Sequence, residues 1–357
     1  MNARDSQLSE RLQTGFLGVI AFALLLFLLV QARFMLICLA FAIIIFSLTS
    51  DAISAFARLK VPNWLATTLA LIAIAIGLLW AATTVVAQVN EVVSTSILYA
   101  DRAQAALSSL SQRWGPRAQE SIATFLGNID FAGWVRSAAA QASSLISGSV
   151  LVLTFVGFMF SERIWFPVKI ERLTGDADQA DEVLRIIYSI MRRVNRYLVV
   201  KAAISGVTAA LIWIIFRLTG LELSGAMATL TFILNFIPTI GSIIATVTAV
   251  AVVLAQTGDP TATLAIGGAC GMVQFLIGNI FDPMLLGQTL RLSSFGIILS
   301  LAFWGAVWGI AGTFLAVPIM VAIMIVCANI PWLRPVAIMI SHEGLPEEEP
   351  RRARLRG

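Results

Sequence analysis

The chain has 357 residues, of which 59% are hydrophobic and 12% are charged, and its formal net charge is +4. Soluble domains carry about 25% charged residues, so this chain has too little charge to cover the surface of a soluble protein of its length. The composition therefore excludes a soluble enzyme, a disordered protein and a nucleic-acid-binding protein. It predicts an all-α, polytopic helical membrane protein.

Eight apolar stretches follow one another along the chain, and they are the candidate membrane segments. They lie at residues 16–30, 34–50, 65–89, 144–160, 199–216, 223–255, 261–281 and 295–330. A helix needs about 20 residues to cross the ~30 Å hydrocarbon core, so the stretches 223–255 and 295–330 are too long for one straight crossing. Each must tilt strongly, break or fold back as a hairpin. Pro238 and Gly241 in the first stretch, and Gly312 and Pro318 in the second, provide places for such a break.

The distribution of basic residues predicts the orientation in the membrane. Segment 161–201 carries eight basic and six acidic residues, whereas segment 90–143 carries four of each. By the positive-inside rule, both termini and segment 161–201 are expected to be cytoplasmic, and segment 90–143 external. The predicted organisation is N-terminal membrane helices at 1–89, an external helical segment at 90–143, a membrane helix at 144–160, a cytoplasmic amphipathic helix at 161–198, a C-terminal membrane core at 199–333 and a cytoplasmic tail at 334–357.

The cytoplasmic segment contains a basic amphipathic helix. Its apolar residues recur at helical spacing: Val183, Ile187, Ile190, Val194 and Leu198. Its remaining surface carries four arginines: Arg185, Arg192, Arg193 and Arg196. Two compatible interpretations are open, which are contact of the arginines with anionic lipid headgroups and docking of the apolar face on the protein's own membrane domain.

A polar stripe marks the first long block. Only six charged residues occur between positions 200 and 333, and polar groups in a membrane are candidates for function. The stripe consists of Thr231, Asn235, Thr239, Ser242 and Thr246, whose spacings would trace one helical face. Pro238 and Gly241 interrupt that helix, and freed backbone groups must be buried in protein or line a wet cavity. The pattern favours a broken or re-entrant helix on a solute path over a simple proline kink.

A second stripe follows in the next apolar block. It consists of Thr263, Gly267, Gly271, Gln274, Gly278 and Asp282. Its small residues allow another helix to approach closely, and Gln274 can hydrogen-bond across the contact. Asp282 could accept a cation or a proton or pair with Arg291, and it could equally cap a helix end before Pro283.

Several chemistries are not expected. The three cysteines, Cys38, Cys270 and Cys327, lie scattered in apolar stretches, and the only histidine is His342, so the sequence predicts neither a metal site nor a His-based catalytic triad. No G-x-x-x-x-G-K-[ST] loop is present, which argues against ATP-driven transport by this chain alone. We therefore expect no catalytic residue, no cofactor and no enzyme activity.

Motifs in the last third of the chain resemble those of the autoinducer-2 exporter family of bacterial membrane proteins. They are Asn235-x-x-Pro238-x-x-Gly241, Gly278-Asn279-x-x-Asp282-Pro283-x-x-x-Gly287, Leu290-x-Leu292-Ser293, Leu299-Ser300-Leu301-x-Phe303-Trp304-Gly305 and Gly309-x-x-Gly312-x-x-Leu315-x-Val317-Pro318. The resemblance implies a multi-pass inner-membrane exporter of small molecules, with autoinducer-2 as the namesake substrate. It also implies a homo-oligomer, with a pentamer as one candidate, and some relatives are thought to exchange Na⁺ for H⁺.

The leading hypothesis is a secondary transporter that exports a small polar solute, with H⁺ or Na⁺ as candidate coupling ions and the lipid bilayer as its surroundings. Segments interrupted by Gly and Pro are the best pointer to such a path. The predicted path comprises Thr231, Asn235, Pro238, Gly241, Gln274, Asn279, Asp282, Gly287, Arg291 and Gly312. Two alternatives are a Na⁺/H⁺ antiporter that uses Asp282 and a non-transporting membrane scaffold or regulator.

Overall fold

A computed structural model of the chain describes residues 3–57, 63–114, 131–286, 292–342 and Gly344. The α-helices are α1 (Ala3–Gln31), α2 (Arg33–Ala57), α3 (Asn63–Trp114), α4 (Phe131–Glu162), α5 (Phe166–Thr174), α6 (Ala177–Leu218), α7 (Ser224–Leu234), α8 (Ile240–Thr257), α9 (Pro260–Leu276), α10 (Asp282–Leu286), α11 (Ser294–Asn329) and α12 (Arg334–Ile340), with a π-helix (Ile277–Phe281) between α9 and α10. Within the described residues, eight helical segments are long and apolar enough to cross a membrane. The expected all-α, polytopic membrane fold is confirmed.

The N-terminal helices α2, α3 and α4 pack together around a small apolar core. Cys38 and Ala42 of α2 contact Val152 and Val156 of α4 in this core. Helix α1 exposes most of its apolar side chains, as expected for a helix surrounded by lipid. It is tied to the C-terminal half by the Trp308 indole, whose Nε1 donates a hydrogen bond to the Leu29 carbonyl at 3.0 Å.

Helix α6 joins the predicted amphipathic helix and the following membrane segment into one uninterrupted helix. It begins at Asp176, whose side chain accepts a hydrogen bond from the Asp178 backbone N–H, and it runs without a break past residue 198. Val194 and Leu198 are buried in a core cluster with residues of α11. The apolar face of the amphipathic part therefore docks on the protein's own membrane domain.

Residues 224–257 form a helical hairpin, which we call the first hairpin. Helix α7 ends at Leu234, and α8 begins at Ile240 and returns antiparallel to it. At the open end of the hairpin, opposite the turn, the Glu222 backbone N–H donates a hydrogen bond to the Gln256 side-chain oxygen at 2.9 Å. This bond holds the ends of the two arms together. Helix α7 has 11 residues and α8 has 18, so the two arms span about 16 Å and 27 Å, and the shorter arm alone could not cross a hydrocarbon core of ~30 Å.

A tight turn forms the tip of the first hairpin. Thr239 adopts a positive φ of 63°, which reverses the chain before α8. A Cβ atom on Gly241 would lie 1.7 Å from the Leu234 carbonyl oxygen, so only glycine allows the two arms to approach this closely. The broken helix expected from Pro238 and Gly241 is present, and it takes the form of a hairpin.

Helix α11 also folds back on itself, and we call residues 294–329 the second hairpin. Gly309 interrupts the helix with φ 65° and ψ −140°. The Ser300 hydroxyl donates to the Ala316 carbonyl at 2.8 Å, although residues 16 positions apart would be about 24 Å apart in a straight helix. A Cβ on Gly312 would lie 1.9 Å from the Trp304 carbonyl oxygen, so this tip also requires glycine.

The two hairpins enter from opposite ends of α6. Residues near the open end of the first hairpin pack against the C-terminal part of α6, where Met227 and Val253 contact Phe216. The arms of the second hairpin pack against the N-terminal part, where Met324 lies in one cluster with Val194. The tip of the first hairpin packs against Leu301, Trp304 and Ala316 of the second. The hairpins therefore overlap beside the middle of α6.

Candidate functional site

A strip of buried polar side chains runs along one face of α6, and we call it the polar strip. It consists of Tyr197, Lys201, Ser205 and Thr208, at spacings of four, four and three residues, and all four are buried. These spacings place the side chains on one helical face. The strip extends about 16 Å along the helix axis, which is roughly half the thickness of the hydrocarbon core.

The tip of the first hairpin contacts the middle of the polar strip. Asn235 is buried, and its side-chain Nδ2 donates to the Ser205 hydroxyl at 3.0 Å. The next residue, Phe236, packs against Tyr197 and against the second hairpin, where its ring stacks on Phe314 at 4.4 Å between centroids. The hairpin tip thus brings a polar amide to the strip, and its aromatic ring lies in the same apolar cluster as Tyr197.

A buried ion pair links the strip to the segment that follows α9. The Lys201 ammonium donates to Asp282 Oδ2 at 2.6 Å, and the exposed fractions of the two side chains are 2% and 18%. The two residues are 81 positions apart in sequence. Charges inside a membrane protein are costly unless they are paired. Each of the two residues therefore supplies the opposite charge that allows the other to be buried. Asp282, which the sequence offered as a partner for Arg291, is paired here with Lys201.

Helical distortion positions Asp282. Residues 277–281 form a π-helix, in which the Asp282 backbone N–H donates to the Ile277 carbonyl, five residues back. Pro283 has no N–H to bond the Asn279 carbonyl, so regular α-helical bonding cannot continue through this point. Single π turns of this kind are frequent at functional sites.

Two oxygen atoms beside the ion pair lack a hydrogen-bond partner among the described residues. They are Asp282 Oδ1 and the Tyr197 hydroxyl, and both are buried. Tyr197 precedes Lys201 by one helical turn on the same face of α6. Buried polar groups are usually satisfied, so the site offers hydrogen-bonding capacity that the protein itself does not use.

The small-residue stripe on α9 forms a close helix contact. Gly267 faces Val250 of α8, where a Cβ would lie 2.7 Å from the valine Cγ2, and Gly271 faces Thr246. Thr263 and Gln274 are buried on the same helix. Gln274 Oε1 has no hydrogen-bond partner within the described part of the chain.

The other residues predicted for the solute path differ from one another in burial and in position. Thr231 is buried on α7, whereas Pro238 is half-buried in the turn that ends with Gly241. Asn279 is exposed, and its side chain donates to the carbonyl of Phe275 in its own helix. Gly312 lies at the tip of the second hairpin, where a Cβ would lie 1.9 Å from the carbonyl oxygen of Trp304, a residue in the cluster that packs against the tip of the first hairpin. The predictions for Gly287 and Arg291 fall outside the described residues.

Lys201, Tyr197, Ser205 and Thr208 were missed by the sequence reasoning. Lys201 was counted with the basic cytoplasmic segment, although it lies inside the predicted span 199–216. The signal was present in residues 199–216, where Lys201, Ser205 and Thr208 are spaced four and three residues apart in an otherwise apolar stretch.

These features define a polytopic helical membrane protein with two opposed hairpins around a buried polar strip. The model of the AI-2E family transporter matches residues 17–332. Because this match covers most of the chain, the protein belongs to the AI-2E transporter family.

Individual relatives match parts of the chain. The AI-2 transport protein TqsA of Escherichia coli K12 is 31% identical over 201 residues, which cover 56% of this chain and 57% of the relative. A putative transport protein of Borreliella burgdorferi is 29% identical over 60% of each chain. A putative transport protein of Haemophilus influenzae is 29% identical over 79% of this chain and 83% of the relative. The chain thus spans little more than half the length of the first two relatives.

Proposed function

We propose that this protein is a secondary transporter that exports a small polar solute, with an autoinducer-2-like molecule as the first solute to test. Membership of a transporter family supports transport as the activity. The name of the Escherichia coli relative, an AI-2 transport protein, supports autoinducer-2 as the first choice of solute.

The contact between Asn235 and Ser205 carries the proposal. A neutral amide at the tip of a hairpin meets a hydroxyl on a membrane helix, and both side chains are buried. Amides and hydroxyls each donate and accept hydrogen bonds, so they can exchange their mutual bond for bonds to a polar solute. Transporters commonly bind solutes near the midplane, between broken helices.

The orientation and assembly belong to the same proposal. In a bacterial inner membrane, the basic N-terminal half of α6 places both termini in the cytoplasm by the positive-inside rule. The first hairpin then enters from outside and the second from the cytoplasm. We further propose a homo-oligomer, with a pentamer as one candidate, and H⁺ or Na⁺ as candidate coupling ions.

Replacing Asn235 with alanine should slow export about tenfold, because the loss of one buried hydrogen-bonding group costs about 1–1.5 kcal/mol. The measurement is efflux of labelled autoinducer-2 and of D-ribose from proteoliposomes. Asn329→Ala is the matched control, since the Asn329 side chain bonds only the Ile325 carbonyl, one turn back in its own helix. Equal efflux by the two folded variants would remove Asn235 from the path.

The same assay tests the two alternatives. Sodium–proton exchange at Asp282 is the weaker proposal, because the Lys201 ammonium already binds Oδ2 of that carboxylate. Labelled Na⁺ flux without solute flux would reverse this preference. A scaffold or regulator would carry neither the solutes nor the ion.

We also propose that the exposed arginines of α6 contact anionic lipid headgroups. Arg185, Arg192 and Arg196 are exposed, and Arg193 is half-buried. A basic residue near an anionic surface gains about 1 kcal/mol, so efflux should be faster in vesicles that contain phosphatidylglycerol.

Replacing these three exposed arginines together with glutamine should abolish the dependence of efflux on anionic lipid. The rate would be compared in vesicles with and without phosphatidylglycerol. The control is Arg217→Gln at the other end of α6, where the guanidinium lies 5.8 Å from the centroid of the Trp213 ring. A triple variant that keeps the lipid dependence of the unmodified protein would contradict the proposed contact.

A further inference from the structure

The ion pair between Lys201 and Asp282 crosses the polar strip. Lys201 lies between Tyr197 and Ser205 on the face of α6 that forms the strip. Asp282 approaches from the segment that follows the π-helix. A solute that moves along the strip from Ser205 toward Tyr197 must pass this pair. The pair is thus placed across the path, between α6 on one side and α10 on the other.

The hydrogen bonding around the pair is incomplete for a purely structural element. Buried ion pairs stabilise a fold only when the remaining lone pairs and protons are satisfied. Here Asp282 Oδ1 and the neighbouring Tyr197 hydroxyl have no partner in the described part of the chain. A partly satisfied buried network is less stable than an apolar contact of the same shape, so fold stability alone does not explain these residues.

The incomplete bonding also leaves an acceptor for a solute. Asp282 Oδ1 is buried and has no hydrogen-bond partner among the described residues, so a passing solute can donate a hydrogen bond to it. A π-helix immediately precedes Asp282, and single π turns are frequent at functional sites.

We propose that Lys201 and Asp282 form a gate that closes the polar strip and that must separate for solute to pass. This inference rests on the proposed function, because it assumes that solute moves along the strip. Lys201 and Asp282 are the gating residues.

A double replacement with apolar residues distinguishes a gate from an ion pair that only stabilises the fold. Lys201→Met or Asp282→Leu alone leaves one buried charge unpaired, so each single variant should unfold at a lower temperature. The double variant Lys201→Met/Asp282→Leu removes both charges and should recover most of the thermal stability. If the pair is only structural, the double variant also recovers normal solute retention and efflux.

The gate predicts a different result for the double variant. Vesicles that contain it should lose trapped autoinducer-2 and D-ribose at least fivefold faster than vesicles with the unmodified protein, without saturation at high solute concentration. The matched control is Lys169→Met/Glu162→Leu, which removes an exposed ion pair that also joins two helical segments. Wild-type retention by a folded Lys201→Met/Asp282→Leu variant would overturn the gate.

If the double variant does not fold, a conservative variant tests the gate instead. Lys201→Arg preserves the pair, and the guanidinium can bond both carboxylate oxygens, which strengthens the closed state. The maximal efflux rate should then fall several-fold while KM stays unchanged. An unchanged maximal rate would overturn the proposal.

These outcomes distinguish the gate from the proposed function. If the unmodified protein carries neither solute, the proposed function fails for those solutes. The leak of the double variant still tests the gate in that case, because it is measured against the closed, unmodified protein. If the unmodified protein exports solute and the double variant retains it normally, only the gate fails.

Discussion

Replacing Gly241 with alanine is expected to open the tip of the first hairpin and to remove most transport activity. The new Cβ would lie 1.7 Å from the oxygen and 2.6 Å from the carbon of the Leu234 carbonyl. Overpacking usually costs 1–3 kcal/mol and occasionally more, and an overlap with backbone cannot be relieved by a change of rotamer. We therefore expect a loss of about 3 kcal/mol or more, measured by thermal unfolding in detergent.

Gly268→Ala is the matched control for this prediction. Gly268 lies on α9, and a Cβ built there meets no atom within 4 Å, so alanine should leave both the unfolding temperature and efflux unchanged. The two variants make the same chemical change in a membrane segment and differ only in what the added methyl group meets. Identical unfolding of both would mean that the two arms do not approach as closely as described.

Removing the aromatic ring of Phe236 is expected to have a comparably large effect. Phe236 is buried at the hairpin tip, where it stacks on Phe314 and contacts Tyr197 of the polar strip. Truncation of a buried phenylalanine to alanine costs about 3–5 kcal/mol. Because this ring also lies in one cluster with Tyr197 of the strip, we expect Phe236→Ala to lower the unfolding temperature and to increase passive loss of D-ribose from vesicles.

The control for Phe236 is Phe275→Ala on α9, where the side chain is 60% exposed. Its ring is placed to contact lipid, so truncation removes little protein packing and should leave vesicle retention unchanged. If Phe236→Ala and Phe275→Ala have equal effects on retention, the ring of Phe236 does not contribute to retention.

The sequence predicted the membrane fold and the site of one break well. Low charge content and apolar runs are sufficient to predict membrane helices, because lipid imposes one simple composition on them. Pro238 and Gly241 also predict a broken helix, since their backbone chemistry acts locally. For the stretch 295–330, the sequence left open a tilted helix, a broken helix and a hairpin. The hairpin at Gly309 could not be chosen among them, because it depends on contacts between residues 16 positions apart, which helical periodicity does not report.

The candidate site was predicted in part. Asn235 and Asp282 were recognised because polar residues are rare in this region, and both are buried or half-buried against α6. Lys201 counts equally well with the basic cytoplasmic segment 161–201, because a basic residue at the end of a span fits the positive-inside rule. Its true partner is 81 positions away, and a single sequence gives no sign of such a pairing. Asn279, by contrast, was chosen for its polarity, but its amide is used by its own helix.

The distance between Lys201 and Asp282 along the chain imposes an order on biosynthesis. Lys201 leaves the ribosome 81 residues before its partner, so α6 must first enter the bilayer with an unpaired ammonium. Lys201 lies near the start of the apolar span 199–216, so its side chain can extend to the lipid–water boundary before its partner is made. The final depth of α6 is then reached only after α9 and Asp282 have been inserted. Chains truncated between residues 257 and 282 should therefore hold α6 closer to the cytoplasmic surface than the complete protein does.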